Sequence, residues 1–378
     1  MSKIIVVSGV YPTESRPHSG AFVKGLVDCW GRLGHDVEVI NPRSISSKDQ
    51  FGFKVTEKFI DNELCIAGGY ISFSNKKIGP IDTASWSREA FKNCSLRCFR
   101  HRREGSPDYF YGKFLMTGGL SVSALSQYSG KPAFVDCGES TLLESMNAKD
   151  IKKVRSFIPY LAGAICVSER LKNEVIELGF SDQDVFLAPN CPDLAMFYPM
   201  DKNAAREKLG IPKNKAVVAF TGHFIERKGP KRVLEAIKRA GKNVVGVFLG
   251  EGCQEPGGDQ VFYAGPVAPK EVNLWLNSAD IFMLPTLAEG NCNAINEAMA
   301  VGLPILTSKI NDVVGQVTVE NSILKEPYDV VGFSEAIINI LNNPVLKESM
   351  GTQSRKLVEK RCASSREERI LSWMESKI

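Results

Sequence analysis

Short apolar runs punctuate this chain and alternate with longer stretches in which apolar residues recur every three or four positions. The runs read as buried strands, and the 3.6-residue period reads as amphipathic helices. Strands are expected over residues 4–8, 37–40, 133–135, 164–167 and 186–188, then over 216–221, 244–249, 261–263, 281–284 and 304–306. A helix is predicted over 21–33, stopped by Gly34. Continuous apolar strands separated by helices imply parallel sheets covered on both faces. The rhythm halts once, at Pro189-Asn-Cys-Pro-Asp193 and Phe197-Tyr-Pro-Met-Asp201, where turn formers crowd together. That segment is the expected hinge. With 378 residues to house, the chain is expected to form two doubly wound α/β domains, residues 1–193 and 200–360, facing a central cleft at the C-terminal ends of their strands.

The stretch 281–306 carries the most chemistry. After the apolar run come Glu289, then Gly290, Asn291 and Asn293 with turn and N-cap character, then a short helix over 294–300 holding Glu297, ended by Gly302 and Pro304. A helix that opens just past a strand presents unpaired N–H groups suited to a phosphate. The two carboxylates beside it suit sugar hydroxyls. One site is thus expected to hold a molecule that is part phosphate and part carbohydrate.

Composition narrows the setting. A net charge of +4, from 47 Lys and Arg against 43 Asp and Glu, is too mild for a nucleic-acid binder but fits an anionic small substrate or an acidic membrane face. No apolar run is long enough to span a bilayer, and the N-terminus enters a strand without a signal-peptide core, so a cytoplasmic protein is expected. Ten cysteines are scattered without a Cys-x-x-Cys pair, and free buried thiols are expected. His18, His35, His101 and His223 lie far apart and give no zinc pattern. Asp182-Gln-Asp184 has the spacing of a metal-binding acid pair but sits where a turn belongs, so no metal is expected. Gly250-Glu-Gly252 lacks the third glycine of a dinucleotide fingerprint. Between Trp86 and Arg103, Trp86, Ala90, Phe91, Cys94 and Cys98 recur at helical spacing among cationic Arg88, Lys92, Arg97, Arg100, Arg102 and Arg103. Such a helix either packs on its own domain or lies peripherally on the inner membrane face.

Several of these patterns, in order, resemble the retaining nucleotide-sugar glycosyltransferases of family four, which have the GT-B architecture. They are Gly20 within Pro17-His-Ser-Gly-Ala-Phe-Val-Lys24, Leu33-Gly-His-Asp-Val-Glu-Val39, Val167-Ser-Glu-Arg-Leu171, Pro189-Asn190 through Phe197 and Pro199, Gly222-His-Phe-Ile-Glu-Arg-Lys-Gly-Pro230, Phe248-Leu-Gly-Glu-Gly252, Ala264-Gly-Pro-Val267, and the pair Glu289 and Glu297. The resemblance rests mainly on 190–304, while 41–130 adds little.

The resemblance implies roles. Glu297 would bind the ribose hydroxyls of a nucleoside diphosphate sugar, and Glu289 the hydroxyls of the transferred hexose. The N–H groups of Gly290, Asn291, Cys292 and Asn293 would face the diphosphate. Lys228, with Arg227 and His223, would neutralise the departing diphosphate. Gly20 and Gly222 would let backbone approach the donor, and Gly265 with Val267 would border the base. Asp136, Cys137, Glu139 and Ser140 would meet the acceptor, a glycan or lipid-linked glycan. No cofactor and no metal are implied. The C-terminal helix, over 361–378, would pack back on the first domain. Two positions depart from the family: His223 stands where an Arg is frequent, and Cys137 where a His is frequent. The expected activity is hexosyl transfer in bacterial surface-polysaccharide assembly. The alternatives are a nucleotide-sugar 2-epimerase and a non-catalytic sugar-nucleotide binding protein.

Overall fold

The computed structural model describes residues 1–12, 19–45, 54–60, 63–72, 83–102 and 105–378. Pro17, His18 and Arg103, named above, lie outside the described residues. The chain divides into two compact units, Met1–Ala188 with Arg366–Ile378, and Pro189–Ser365.

In the first unit the strands are β1 (Lys3–Val7), β2 (Asp36–Ser44), β3 (Val55–Ile60), β4 (Glu63–Tyr70), β5 (Tyr109–Lys113), β6 (Ala133–Cys137), β7 (Gly163–Cys166) and β8 (Val185–Leu187). The helices are α1 (Ala21–Arg32), α2 (Thr83–His101), α3 (Leu120–Ser129), α4 (Ala148–Phe157) and α5 (Glu169–Leu178). Among the described residues the sheet order is β3-β4-β2-β1-β5-β6-β7-β8, parallel except for β3, which runs antiparallel to β4. The apolar periodicity located most of the parallel strands. It missed β3, an edge strand with mostly exposed residues and no apolar run. It also missed β4 and β5, which are mostly buried but carry glycines, Gly68 and Gly69 in β4 and Gly112 in β5, that break their apolar runs.

α2 exists, and it packs on its own unit. Phe91, Cys94 and Cys98 are buried beneath it. Its cations are engaged internally: Arg88 pairs with Asp150, Lys92 with Glu89 at 2.5 Å, and Arg97 donates to the carbonyl of Gly69 at 2.7 Å. Arg102, just past the helix, pairs with the buried Glu38, and Arg100 lies over the Tyr128 ring.

The second unit holds α6 (Lys202–Leu209), β9 (Ala216–Thr221), α7 (Pro230–Ala240), β10 (Val244–Leu249), β11 (Val261–Gly265), α8 (Pro269–Asn277), β12 (Ile281–Leu284), α9 (Asn293–Ala300), β13 (Ile305–Ser308), α10 (Asn311–Val314), β14 (Ser322–Lys325), α11 (Val330–Asn342) and α12 (Pro344–Arg361). Its sheet is wholly parallel, in the order β11-β10-β9-β12-β13-β14. β12 is fully buried, as a strand flanked on both sides and covered on both faces must be.

The last helix, α13 (Arg366–Glu375), returns to the first unit. It is shorter than the span expected for it, because Arg361 closes α12 and Cys362 to Ser365 separate the two helices. The Trp373 ring stacks on Phe186 with centroids 5.3 Å apart, and the Trp30 indole N–H donates to the carbonyl of Glu367 at 2.9 Å.

The thiol expectation needs a correction. Cys191 and Cys362 are joined in a disulfide, with Cα atoms 5.7 Å apart. Their segments, near in space, are 171 positions apart in sequence, so no local pattern announces the pair. Cys253 is exposed, while Cys65, Cys94, Cys98, Cys137, Cys166 and Cys292 are free and buried. No described helix is long and apolar enough to cross a membrane.

Candidate active site

In the second unit the ends of four adjacent strands form one rim. Gly265 ends β11, Gly250 follows β10, Gly222 follows β9, and the loop 285–292 follows β12. This loop is held from the turn at 223–232. The carbonyl of Arg227 accepts from the N–H of Leu287 at 2.8 Å and from the Thr286 hydroxyl at 3.2 Å. The Arg227 guanidinium donates to the carbonyl of Ala288 at 2.5 Å, and that of Arg232 to the carbonyl of Pro285 at 2.9 Å.

That clamp places Glu289. Its carboxylate is 5% exposed and Oε1 accepts from Lys228 Nζ at 2.6 Å, Thr286 Oγ1 at 2.8 Å and, at the limit, Arg227 Nη1 at 3.5 Å. The adjacent side chains of Arg227 and Lys228 thus converge on one acid. Glu297 lies on α9 and differs in kind. It has no hydrogen-bond or ion-pair partner among the described residues, and burial alone pushes its carboxyl up to about 7. A half-buried, unpaired acid one turn into α9 is a group with acceptor capacity to spend on a ligand.

Of the four loop N–H groups assigned to the diphosphate, that of Cys292 is already taken: it donates to Gln316 Oε1 at 3.0 Å, and Gln316 Nε2 returns a bond to the carbonyl of Cys292 at 2.6 Å. Gly290, Asn291 and Asn293 remain for that role. The Cys292 thiol is buried and pushed up to about 12 by that burial. Asn190 Nδ2 donates to Asn293 Oδ1 at 2.9 Å and to the carbonyl of Asn291 at 3.2 Å, and Asn296 Nδ2 donates to Asn291 Oδ1 at 3.0 Å. Asn296 and Gln316 were not singled out from sequence. Gln316 braces Cys292 from 24 positions away, and Asn296 Nδ2 holds the carbonyl of Asn190 from 106 positions away, so neither leaves a local pattern.

His223 is exposed on the rim. The carbonyl of Gly265 accepts from the N–H of Gly250 at 2.9 Å, and the neighbouring Tyr263 ring lies against Trp275 at a tilt of 31° with centroids 4.5 Å apart, which sets a firm wall beside half-buried Val267. Two buried hydroxyls at strand ends, Thr221 Oγ1 and Ser308 Oγ, also lack a hydrogen-bond partner among the described residues and add unspent polar capacity to the same rim.

In the first unit, Gly20 is the N-cap of α1 at φ +73°, and a Cβ there would stand 2.5 Å from the carbonyl of Val10. Only glycine tolerates both the dihedral and the approach. Asp136 and Cys137, expected to face an acceptor, are fully buried. Both Asp136 oxygens accept from Arg366 at 3.0 Å, and Oδ2 also accepts from Lys113 Nζ at 2.6 Å and from the Tyr111 hydroxyl. Although burial opposes it, this cationic company holds the Asp136 carboxyl down at about 2. The Cys137 thiol is pushed well up by its contact with Cys166 and by burial. Neither presents an atom to solvent; the burial follows from their place inside β6.

Glu139 stands just beyond. Its Oε1 accepts from the N–H of Leu115 at 2.6 Å, its Oε2 has no partner among the described residues, and burial pushes the carboxyl up to about 7. The turn that supplies this N–H begins at Phe114, whose φ of +68° is the one positive value outside glycine among the described residues. Ser140 is half-buried, and its carbonyl and that of Glu139 accept from Arg170 Nη2 at 3.2 Å. Of the four acceptor-side candidates, Glu139 and Ser140 are the two that are not fully buried.

Residues 201–357 match the family described as glycosyl transferases group 1. The chain is similar, at 24% identity over 94% of its own length and 94% of the relative's, to a glycosyltransferase of Bacillus subtilis assigned by its name to teichuronic acid biosynthesis. It is also 29% identical, over 60% of this chain and 65% of the relative, to an Escherichia coli enzyme named UDP-Gal:α-D-GlcNAc-diphosphoundecaprenol α-1,3-galactosyltransferase. Among solved structures, HepE of Anabaena in complex with UDP and glucose superposes with a TM-score of 0.71 over all of both chains at 13% identity, a likeness of fold. The motif series, the two α/β units and the match over the second of them agree: residues 201–357 belong to the glycosyl transferases group 1 family, and the chain is a glycosyltransferase built on the GT-B fold.

Proposed function

We propose that this glycosyltransferase moves a hexose from a nucleoside diphosphate sugar to a hydroxyl of a glycan or lipid-linked glycan, with retention of configuration, in the assembly of a bacterial surface polysaccharide. The observation that carries this reading is the contrast between ion-paired Glu289 and unpartnered Glu297 on either side of the opening of α9.

Glu297 accepts the ribose hydroxyls, a bond pair that offsets the cost of burying its carboxylate. Gly290, Asn291 and Asn293 direct N–H groups and the positive end of α9 at the diphosphate. Lys228 and Arg227, set by Glu289, stand ready for negative charge growing on the leaving group, which is the preorganised cation such chemistry needs. Glu289 keeps lone pairs for the hexose. His223 borders the phosphates, Gly222 and Gly20 admit backbone to them, and Gly265 with Val267 flank the base. Acceptor hydroxyls meet Glu139 and Ser140. The C1–phosphate bond breaks while the acceptor oxygen bonds C1 on the same face, and the acceptor proton passes to the departing phosphate oxygen. Because side-chain cations neutralise the diphosphate, the reaction proceeds in EDTA.

The names of two relatives support the setting, one in teichuronic acid biosynthesis and one acting on a diphosphoundecaprenol-linked sugar. The test is incubation of the pure chain with UDP- and GDP-hexoses, with and without a diphosphoundecaprenol-linked sugar. Transfer to that acceptor supports the reading. A donor isomerised without acceptor identifies the 2-epimerase instead, and binding of donor with neither hydrolysis nor transfer removes the catalytic assignment.

A further inference from the structure

A second cavity lies at the opposite end of the second unit's sheet. Its volume is about 610 Å3, and Asp280 and Pro304, which immediately precede β12 and β13, stand in its wall. The candidate donor rim follows the other ends of those strands, so this cavity is separate from it.

Its electrostatics are lopsided. Lys202, Lys347, Arg355 and Lys356 line it, against only Asp280 and Glu348. Lys202 Nζ and Lys347 Nζ share a single oxygen, Asp280 Oδ1, at 2.7 and 3.2 Å. The other oxygen is occupied from behind by Arg206 at 2.7 Å and by the N–H of Val217 at 3.0 Å. One carboxylate therefore answers three cations. Each ammonium carries three N–H donors, and one from each suffices for Asp280. Both side chains are part-exposed, 37% and 28%, so their remaining donors reach the cavity. Lys356 adds a further exposed cation. Arg355 is committed elsewhere: it donates to the carbonyls of Ala300 at 2.6 Å and Phe197 at 3.1 Å and so holds the wall.

The shape is built as well as charged. Gly351 of α12 lies against Gly302, close enough that a Cβ on Gly351 would collide with the carbonyl of Gly302. α12 opens at Pro344 on the cavity wall and directs the positive end of its dipole there. Leu303 and Pro304 provide an apolar side for the non-ionic part of a ligand.

We propose that this cavity binds a small phosphorylated metabolite, its phosphate monoester dianion seated on Lys202 and Lys347. Two ammonium groups that share a single carboxylate oxygen in a concave, half-shielded site favour a compact dianion over a monoanion, and lysine meets phosphate as a point charge. The occupant touches Val301 and Gly302, the residues that follow α9, and so bears on the helix that carries Glu297. The proposal concerns binding and stands whether or not the transferase reading holds.

The experiment titrates the full-length chain with inorganic phosphate and with glucose 1-phosphate, read by calorimetry and by thermal unfolding, in a Lys228→Ala background that weakens phosphate binding at the donor rim. Saturable binding of glucose 1-phosphate, weakened about tenfold or more by Lys347→Met and by Lys202→Met, is expected, and tenfold corresponds to about 1.4 kcal/mol. Lys356→Glu, at an exposed position, provides a variant whose folding is not in question, and it too should weaken binding. Absence of saturable binding by either probe overturns the proposal, as does equal affinity in all three variants.

Discussion

Glu289 and Glu297 are the same residue type eight positions apart, and their surroundings give them opposite chemistry. Glu289 accepts from Lys228 and from the Thr286 hydroxyl. Glu297 meets only burial, so its folded carboxyl titrates near 7, above the ordinary carboxylate range. A raised acid binds its proton more tightly in the folded state, so its contribution to stability is present below the unfolded value and is lost as pH climbs toward about 7. Glu297→Gln should therefore flatten the fall in stability between pH 5 and 7, measured by urea unfolding, and should weaken donor binding. An unchanged slope would mean that water or a partner already satisfies this carboxylate. Lys228→Ala tests the other acid's partner: turnover should drop about 100- to 1,000-fold if a preset cation stabilises the leaving group. A comparable rate in the variant would remove Lys228 from the chemistry. Both acids were legible in sequence because strand, turn and helix place them by local rules. Asn296 and Gln316 were not, since their value comes from partners brought near only by the fold.

α13 shows how an element acquires its position from one buried charge. Arg366, its first residue, donates to the carbonyl of Ala188 at 2.7 Å and to both oxygens of Asp136, deep in β6. Trp373 then stacks on Phe186, and Lys377 donates to the carbonyl of Gln183 at 2.7 Å. Arg366→Ala leaves Asp136 buried with its main cation gone, a loss of about 3–5 kcal/mol. Equilibrium unfolding should show it, and hydrogen exchange should show α13 opening ahead of the rest of its unit. A loss under about 1 kcal/mol would place the helix's anchorage in its aromatic contacts. The sequence reading of Asp136 as an acceptor contact failed for the same reason: a residue at a strand's end is read as rim, whereas β6 runs through Cys137 and buries both. Apolar runs located most of the parallel strands, because burial on both faces leaves no alternation to misread, but they passed over β4, β5 and β14. β3 escaped for a different reason, since an exposed edge strand is not apolar.

At the scale of the chain, two crossings join the units, at Ala188–Pro189 and at Ser365–Arg366. Cys191 lies just after the first and Cys362 just before the second, and their disulfide ties the two ends of the second unit to each other. The bond closes a loop across 171 positions, nearly the whole of that unit, so its main effect falls on the unfolded chain. Loop-closure entropy for so long a span amounts to about 5 kcal/mol. Both sheets keep their own cores, so the unit should stay folded without the bond but unfold at lower denaturant. Thiol titration under denaturing conditions should find eight reactive thiols before reduction and ten after. Cys191→Ser should lower the urea midpoint of the second unit and leave that of the first unchanged. The Cys362→Ser variant should match it, because either substitution opens the same loop. Ten reactive thiols before reduction would place the two sulfurs in contact without a bond, and the midpoint should then be insensitive to reductant. A protein purified with the bond intact, losing stability in reductant by the amount lost in Cys191→Ser, would make this clip, rather than any feature of the hinge's own residues, the constraint on how the second unit begins and ends.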